Sequence, residues 1–417
     1  MLRCAEVELS VKPSNTLRKE YRVSVAKHIE TIMSKSSWIR KMFEEGARLK
    51  AIHGAENVYD FSLGNPNLEP PKRFKTILEE LIRQDFPGCH GYMSNAGYPD
   101  VRKAVAEYIG KEQEVAMSAE DIIMTCGAAG GLNVIFKAIT DPGDEILAPT
   151  PHFVEYGFYV SNHGGVLKTV ATHPDFTLDI KAIESAITPK TKAVLINSPN
   201  NPTGQIYSRE SLEALGAVLS RKGRELGRTL YLISDEPYRK IVYDNARAPS
   251  IFSAYAESIL TTSYSKDISI PGERIGFIAV NPSAAYNDSL VAAMALTNRI
   301  LGFVNAPALM QRVVARMQGA SVDISAYAVK RDLLCAGLVE SGYKFVRPPG
   351  TFYVFPQTPI ADDVEFVREL QKELILVVPG SGFGAPGHFR IAFCVSDDTI
   401  TRSIPGFKRV MDRFISR

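Results

Sequence analysis

Four apolar segments of the sequence lead into residues that could bind and transform a small ligand. The segments are DIIMT, KAVLIN, TLYLIS and ILTTSYS, and they are followed by CGAAGG, SPNNPTG, DEPY and KDISIPGER. Each apolar run predicts a buried strand. In open α/β sheets, ligands bind beyond the carboxyl ends of the strands, so we expect these four sets of residues to meet around one site.

Two of the strand ends offer hydrogen-bond donors. Cys126 begins a run of small residues that opens a predicted helix, where backbone N–H groups and the helix dipole could meet an anion, although a simple tight turn is the commoner explanation. In SPNNPTG, two prolines restrict the backbone around Asn201. Its amide could therefore donate to a ligand oxygen, although a stiff loop would have the same sequence.

The other two strand ends offer ionisable groups. Asp235 directly follows an apolar run, where a carboxylate needs a cationic partner if it is buried. A buried ammonium group at Lys266 would have a depressed pKa and could act as an amine nucleophile. An exposed acid or a solvated lysine is the ordinary alternative for each residue alone, and the combination at one sheet edge favours a ligand.

Pyridoxal phosphate is a single ligand that needs all of these groups. Its phosphate requires hydrogen-bond donors and a cation, and its ring nitrogen requires a carboxylate. Its phenolic oxygen requires hydrogen-bond donors, and its aldehyde requires an amine. Asp235 is the candidate for the ring nitrogen, and Lys266 for an imine with the aldehyde. Asn201 and Tyr238 are the candidates for the phenolic oxygen. The candidates for the phosphate are Gly127, Ala128, Ala129, Ser263, Ser265 and Arg274.

At these residues the chain resembles the class I aminotransferases of fold type I, which include aspartate, alanine and aromatic aminotransferases. The resemblance extends from SLGNP at Ser62 to FRIAFC at Phe389, and NNPTG together with SYSKDISIPGERIG is its most specific part. It implies that Lys266 is the Schiff-base lysine and that Asp235 pairs with the ring nitrogen. It likewise implies that Asn201 and Tyr238 bind the phenolic oxygen of the cofactor.

The resemblance implies further site residues and a homodimer with shared active sites. Arg390 in FRIAF matches the arginine that binds the substrate α-carboxylate, and Gly64 matches the glycine whose backbone assists it. Phe153 matches the aromatic residue that stacks on the cofactor ring, and Tyr92 a tyrosine that enters the neighbouring subunit's phosphate site. Arg299 is a candidate for binding a second substrate carboxylate. It lies one residue away from the position at which some relatives supply such a cation from the partner subunit. Strand-flanking and core-packing roles are the alternatives for these residues.

Two departures from the family pattern bear on the substrate. Phe153 stands where many aspartate-specific members have tryptophan, and Pro237 in DEPY replaces an aliphatic residue. Neither change removes a cofactor contact. The amino donor is therefore left open between aspartate-like and broad specificity.

The order of the segments predicts an α/β fold. DIIMT, DEILAP, VLKTVAT, KAVLIN, TLYLIS, ILTTSYS and RIGFIAV alternate with helical patterns, which predicts a mostly parallel seven-stranded sheet sandwiched by helices. With 417 residues, two domains are expected. We assign residues 59–306 to the large cofactor-binding domain. Residues 1–58 and 307–417 form a smaller α+β domain with an N-terminal helical arm.

Composition excludes several classes of protein. The net charge is +2, from 48 basic and 46 acidic side chains, which gives no field for nucleic acid or a membrane surface. The 5 cysteines show no CxxC spacing, and the histidines no metal-ligand spacing, so neither disulfides nor a metal is expected. No signal peptide is indicated, and we expect a cytoplasmic protein.

These patterns predict transamination of an L-amino acid with a 2-oxo acid acceptor. Lys266 would hold the aldehyde, be displaced by the substrate amine and then move the Cα proton, giving ping-pong kinetics. A β-eliminating C–S lyase on the same scaffold would keep the same residues and is the main alternative. A non-catalytic regulatory protein is less favoured because no helix-turn-helix segment accompanies the intact site. A dehydrogenase is disfavoured because GSGFG lies too late in the chain.

Overall fold

The computed structural model describes residues 25–34, 38–84 and 86–415. The predicted N-terminal helical arm belongs to residues 1–58, of which residues 1–24 and 35–37 lie outside the described ranges. The helices are α1 (Lys27–Ser34), α2 (Trp38–His53), α3 (Lys72–Arg83), α4 (Pro99–Glu112), α5 (Gly127–Ile139), α6 (Tyr156–Ser161), α7 (Ile180–Ala186), α8 (Arg209–Leu226), α9 (Ile251–Ala254), α10 (Asn287–Ile300), α11 (Ala308–Arg316), α12 (Ile324–Glu340), α13 (Asp363–Lys372) and α14 (Asp397–Ile415). Within the described residues, no helix has the length and apolar character needed to cross a membrane.

The strands form one large sheet and two small ones. They are β1 (Tyr59–Asp60), β2 (Ile122–Thr125), β3 (Glu145–Thr150), β4 (Val166–Ala171), β5 (Thr191–Asn197), β6 (Tyr231–Asp235), β7 (Ser258–Ser263), β8 (Gly276–Val280), β9 (Tyr353–Val354), β10 (Ile375–Leu376), β11 (Val378–Pro379) and β12 (Phe389–Ala392). The large sheet has 7 strands in the order β2, β8, β7, β6, β5, β3, β4. The seven-stranded sheet predicted from the sequence is thus confirmed.

The large sheet is parallel except at β8, which runs antiparallel to both of its neighbours. Because β2 and β7 both oppose β8, their carboxyl ends lie at the same edge as those of β5 and β6. Successive residues of β6 face opposite sides, with Leu232 in one hydrophobic core and Ile233 in the other. Both faces are covered by helices, which is why the strands are apolar throughout.

Capping side chains fix where several helices begin. Asp179, Ser208, Asp323 and Asp362 each accept a backbone N–H from the first turn of the helix that follows. Gly227 ends α8 in the left-handed conformation, with φ of 63°. These residues satisfy N–H and C=O groups that a helix end otherwise leaves unpaired.

A smaller layer packs beside the carboxyl edge of the large sheet. Strands β11, β12 and β9 form an antiparallel sheet, and β1 pairs in parallel with β10. Helix α12 packs on α14, and the core of this layer includes Phe352, Phe389 and Phe407. Strand β12 carries Arg390, so this layer brings that residue toward the edge of the large sheet.

The division of the chain into residues 59–306 and two terminal segments stays a prediction, and packing crosses both of its edges. At the first edge, β1 pairs with β10 rather than with the large sheet. At the second, α11 packs on α3 and α4, and its Val313 and Val314 belong to a core of the large sheet. Apolar periodicity located these elements without showing which core each would join.

Candidate active site

A cavity of about 300 Å³ lies between the carboxyl edge of the large sheet and strands β9 and β12. Most of the site residues predicted from the sequence line it. They are Gly64, Ala128, Ala129, Phe153, Asn201, Asp235, Tyr238, Ser263, Ser265, Lys266, Arg274 and Arg390. Residues that are far apart in the sequence therefore share one wall, as the positions after the strand ends predicted.

Lys266 follows β7 and extends its amine into this cavity. Nζ donates a hydrogen bond of 2.7 Å to the carbonyl oxygen of Gly64. Burial lowers the pKa of Lys266 to about 8; Cys394 opposes this shift, and the charges of Arg390 and Arg274 add to it. A larger fraction of this amine is therefore neutral near pH 7 than for an ordinary lysine, as a nucleophile or base requires.

Asp235 ends β6 with one of its carboxylate oxygens unpaired. The hydroxyl of Tyr156 donates to Oδ2 at 2.7 Å. The other oxygen, Oδ1, is buried and has no hydrogen-bond partner among the described residues. Burial raises the pKa of Asp235 to about 7, against which the Tyr156 hydrogen bond acts. A buried carboxylate with a free oxygen suits a protonated ring nitrogen, so this residue fits pyridoxal phosphate.

Arg390 is 1% exposed and points its guanidinium group into the cavity wall. Nη2 donates to the carbonyl oxygen of Ser62 at 2.5 Å, and Nη1 to Oδ1 of Asn201 at 3.0 Å. The guanidinium lies over the rings of Tyr353 and Phe383. Within the described residues, Nε has no hydrogen-bond partner and no carboxylate forms an ion pair with the group. A buried cation without a counterion suits a substrate carboxylate.

The start of α5 and Arg274 form the cationic end of the site. Gly127 has φ of 72°, and a Cβ atom placed there would lie 3.0 Å from Nη2 of Arg274. Arg274 is exposed and donates to the carbonyl oxygen of Pro271 at 3.0 Å. Backbone amides at a helix start beside an arginine suit a phosphate group.

Asn201 and Tyr238 lie between the lysine and the arginine. Since Oδ1 of Asn201 accepts from Arg390, its Nδ2 remains to donate to a ligand oxygen. Asn197 holds this loop to β6, because its amide donates to the carbonyl oxygen of Asp235 and accepts from the backbone of Asn201. The hydroxyl of Tyr238 lies 2.9 Å from that of Tyr353. Two donors are thus available for a phenolic oxygen.

Phe153 is half-buried and lies just before α6. Its ring meets that of Tyr156 edge to face, with centroids 5.6 Å apart. Because Tyr156 also holds Asp235, the aromatic wall and the carboxylate belong to one packed unit.

Besides Gly127 at the start of α5, two predicted residues do not line the cavity of this chain. Tyr92 is 92% exposed, and Arg299 is exposed near the end of α10. Neither lines the cavity. Their roles in a neighbouring subunit stay predictions.

Several residues of the cavity wall were missed from the sequence. They are Leu63, Leu132, Glu155, Tyr159, Asn197, Pro271 and Tyr353, with Tyr156 behind the wall. Asn197 could have been found, because it is the only polar residue at the end of KAVLIN. Tyr353 gave no such signal, since it lies within an aromatic stretch that is typical of core packing. Burial raises the pKa of Glu155, which also faces the cavity.

Known proteins resemble this chain over most of its length. An aspartate/prephenate aminotransferase of Thermus thermophilus is 34% identical over 84% of this chain and 90% of its own length. The crystal structure of an aminotransferase from Eubacterium rectale is 38% identical, with a TM-score of 0.91 over 94% of this chain and all of the other. An aspartate aminotransferase from Thermus thermophilus with maleate is 29% identical, with a TM-score of 0.82 over 93% of this chain and all of its own.

A family model agrees with these relatives and with the site. The model of aminotransferase class I and II matches residues 56–405, which include every residue of the cavity wall. The resemblance inferred from the sequence and the fold expected from it are both confirmed. This chain belongs to the class I and II aminotransferases and is a pyridoxal phosphate-dependent aminotransferase.

Proposed function

We propose that this enzyme moves the amino group of an L-amino acid to a 2-oxo acid by a ping-pong mechanism that depends on Lys266. The observation that carries the proposal is the buried Oδ1 of Asp235, which has no hydrogen-bond partner among the described residues. The same cavity wall holds Lys266, whose pKa is lowered, and Arg390, which has no carboxylate partner among those residues. A carboxylate for the ring nitrogen, an amine for the aldehyde and a guanidinium for the substrate carboxylate are the groups that pyridoxal phosphate chemistry on an amino acid requires. No other described cavity combines them.

The cofactor assignments rest on the chemistry of the donor set. Arg274, the hydroxyls of Ser263 and Ser265 and the backbone amides at residues 127–129 would hold the phosphate. Asp235 would pair with the ring nitrogen, and Asn201 and Tyr238 would donate to the phenolic oxygen. When bound, pyridoxal phosphate supplies an electron sink for the charge that develops at the substrate Cα.

The side chains of this enzyme would orient the substrate and move its proton. Arg390 binds the α-carboxylate, which turns the Cα–H bond toward Lys266. The Lys266 amine then takes the Cα proton and later returns a proton, because its lowered pKa makes the neutral form more populated than in an ordinary lysine. Asp235 keeps a negative charge beside the ring nitrogen throughout.

The side-chain preference of the substrate is proposed to be aspartate-like or broad. The cations that line the cavity of this chain are Lys266, Arg274 and Arg390, and each already has a role. A second substrate carboxylate would need a further cation, and Arg299 of a second copy is the predicted source. The names of the relatives include both aspartate and aspartate/prephenate aminotransferases, which supports this range of donors.

An amino-donor screen tests the proposal. Purified enzyme loaded with pyridoxal phosphate is given L-amino acids in turn with 2-oxoglutarate, pyruvate or oxaloacetate, and the new amino acid is quantified. We expect transfer for at least one pair and parallel double-reciprocal plots, as ping-pong kinetics require. The matched control is Lys266→Ala, which should lose nearly all transfer. Transfer at the parent rate by that variant would contradict the role of Lys266.

The same enzyme preparation separates transamination from β-elimination. Cystathionine is supplied without any oxo acid, and pyruvate and ammonia are measured. Release of both products in the absence of an acceptor, with no amine transfer in the screen, would favour the C–S lyase. We expect the opposite pattern.

We also propose a homodimer in a reducing compartment such as the cytoplasm. Tyr92 and Arg299 are exposed on this chain although the family resemblance assigns both to a site. Composite sites built from two copies would give both residues a ligand. Cys126, Cys335 and Cys394 carry free thiols, which supports a reducing environment.

A further inference from the structure

Tyr353 contacts two groups of the site that have different tasks. Its hydroxyl lies 2.9 Å from the hydroxyl of Tyr238. The face of its ring lies under Arg390, with the guanidinium carbon 4.6 Å from the ring centroid. The residue is 2% exposed, so both contacts are shielded from solvent. One side chain therefore touches the predicted carboxylate-binding group and a predicted phenolic-oxygen donor.

The surrounding backbone holds Tyr353 in one position. Strand β9 pairs with β12 so that Tyr353 lies opposite Ala392, two residues from Arg390. The hydroxyl of Thr351 accepts a hydrogen bond of 3.1 Å from the backbone N–H of Tyr353. A Cβ atom on Gly64 would lie only 1.9 Å from the Tyr353 hydroxyl oxygen, so the absence of a side chain at Gly64 makes room for it.

The hydrogen-bond capacity of a phenol decides the direction of the Tyr238 contact. Tyr238 has one hydroxyl proton, and its hydroxyl oxygen can accept from another donor. If that proton goes to a ligand oxygen, the contact with Tyr353 forms only when Tyr353 is the donor. Donation into the Tyr238 oxygen also makes Tyr238 a stronger donor, because hydrogen bonds in a chain polarise one another.

We infer that Tyr353 is a positioning residue with two separable actions: its ring holds the Arg390 guanidinium, and its hydroxyl directs the Tyr238 proton to the phenolic oxygen of the cofactor. The inference rests on the proposed function. It adds a residue that orients Arg390 and Tyr238, which are proposed to contact the substrate and the cofactor.

Three variants separate the two actions. Tyr353→Phe keeps the ring and removes the hydroxyl, whereas Tyr353→Leu removes both. Phe383→Leu is the matched control, because Phe383 is the other ring over Arg390, with its centroid 4.9 Å from the guanidinium carbon. Its phenyl ring has no hydroxyl that could donate to Tyr238. Thermal unfolding of the apoproteins establishes that each variant is folded.

Two readouts are measured on each holoenzyme. The first is the pH midpoint of its visible absorbance band, which reports donation to the phenolic oxygen. The second is KM, compared with kcat, for the best amino donor of the screen, which reports carboxylate binding.

Each variant has a different expected pattern. For Tyr353→Phe we expect a rise of the absorbance midpoint by about 0.5 to 1 pH unit, because a weaker donor stabilises the phenolate less, and a KM within about two-fold of the parent. Phe383→Leu should raise KM by roughly 5- to 30-fold with an unchanged midpoint. Tyr353→Leu should change both.

Equal changes of both readouts in Tyr353→Phe and Tyr353→Leu would overturn the inference, since that pattern indicates general loss of packing. So would parent values in Tyr353→Phe and Tyr353→Leu. Should Tyr353→Leu fail to fold, Tyr353→Phe and Phe383→Leu still test the two actions separately. Failure of the proposed function looks different, because the parent protein itself would then lack amine transfer.

Discussion

Burial moves the pKa values of Lys266 and Asp235 in opposite directions, and both arrive near neutral pH. The lysine falls to about 8 and the aspartic acid rises to about 7. Each shift disfavours the charged form, as desolvation does for any buried ionisable group. The site therefore holds an amine that is neutral more often than an ordinary lysine and a carboxyl group whose ionised form a nearby cation would stabilise.

The raised pKa of Asp235 predicts that the unfolding free energy of the apoprotein decreases as pH rises. A group with a raised folded-state pKa contributes stability at low pH, and this contribution is lost as pH rises through about 7. Asp235→Asn removes this titration. Its unfolding free energy minus that of the parent should rise by roughly 2.5 kcal/mol between pH 5 and pH 8, measured by urea titration. Amine transfer should fall at least about 1000-fold, since the ring nitrogen loses its carboxylate.

The control for that prediction is Asp288→Asn, which removes an exposed carboxylate of α10. A pH-dependent change that appears only in Asp235→Asn would assign it to the buried carboxyl group. A flat difference for Asp235→Asn would mean that Asp235 is not desolvated in the apoprotein.

The lowered pKa of Lys266 predicts how the apoenzyme takes up its cofactor. Only the neutral amine reacts with an aldehyde, so the uptake rate should follow its deprotonation. With a pKa of about 8 the rate should rise about five-fold from pH 7 to 8 and be nearly level above pH 9. Stopped-flow absorbance measures this rate. A rate that rises ten-fold with every pH unit up to pH 10 would indicate an ordinary, solvated lysine.

The site residues were predictable where each follows a strand end, as Lys266 and Asp235 do. The side chains that contact the site residues, such as Tyr156 and Tyr353, were not predictable from the sequence. Tyr156 and Asp235 are 79 residues apart, and Tyr353 and Tyr238 are 115 apart. Such contacts depend on how elements distant in the chain pack together, and neither periodicity nor local motif encodes that.

At the scale of elements, α5 lies close to β7 and β8 because its first turns contain glycines. A Cβ atom at Gly131 would lie 2.3 Å from the side-chain oxygen of Thr261 on β7 and 3.4 Å from the side chain of Ile278 on β8. This close approach would set where the helix start meets the phosphate of the proposed cofactor site. Packing within the sheet and cofactor binding are therefore linked through one helix.

Gly131→Ala should push α5 outward and weaken the affinity for pyridoxal phosphate by about 10-fold, as expected for an over-packed contact. Adding Thr261→Ala removes the nearest atom of the clash and should restore most of that affinity. Thr261→Ala alone is the control and should stay within about two-fold of the parent. Equilibrium titration of the apoproteins measures each value. Parent affinity in Gly131→Ala would show that the helix position does not matter.

Most elements were predictable from short apolar runs and helical periodicity. Each of the seven apolar runs named from the sequence overlaps one strand of the large sheet. The direction of β8 and the pairing of β1 with β10 were not predicted, because strand direction and partner depend on contacts across the chain. Strands of two residues, such as β9, are defined by such pairing alone.

At the scale of the whole molecule, one cavity forms where the large sheet meets the smaller layer. Lys266 belongs to the first and Arg390 to the second, so the proposed substrate site bridges the two. Tyr92 and Arg299 remain on the outside of the chain. The sequence predicted the residues of the bridge, whereas the shape of the cavity depends on side-chain packing that no motif describes.

Subunit complementation tests the predicted role of Tyr92. Lys266→Ala and Tyr92→Ala chains, carrying different affinity tags, are co-expressed and the mixed dimer is isolated. If Tyr92 serves the neighbouring subunit, the mixed dimer contains one fully intact site and should show about half of the parent activity. Each homodimeric variant should be impaired. A mixed dimer no more active than the average of the two homodimers, or an active monomer in dilute solution, would contradict a shared site.

The most direct measurement is borohydride reduction of the holoenzyme followed by peptide mass spectrometry. A covalent bond between the cofactor and Lys266 predicts a single pyridoxyl label on the peptide that contains this lysine, and none in Lys266→Ala. A label on another lysine, or a parent protein that stays colourless and unlabelled with excess pyridoxal phosphate, would contradict the account.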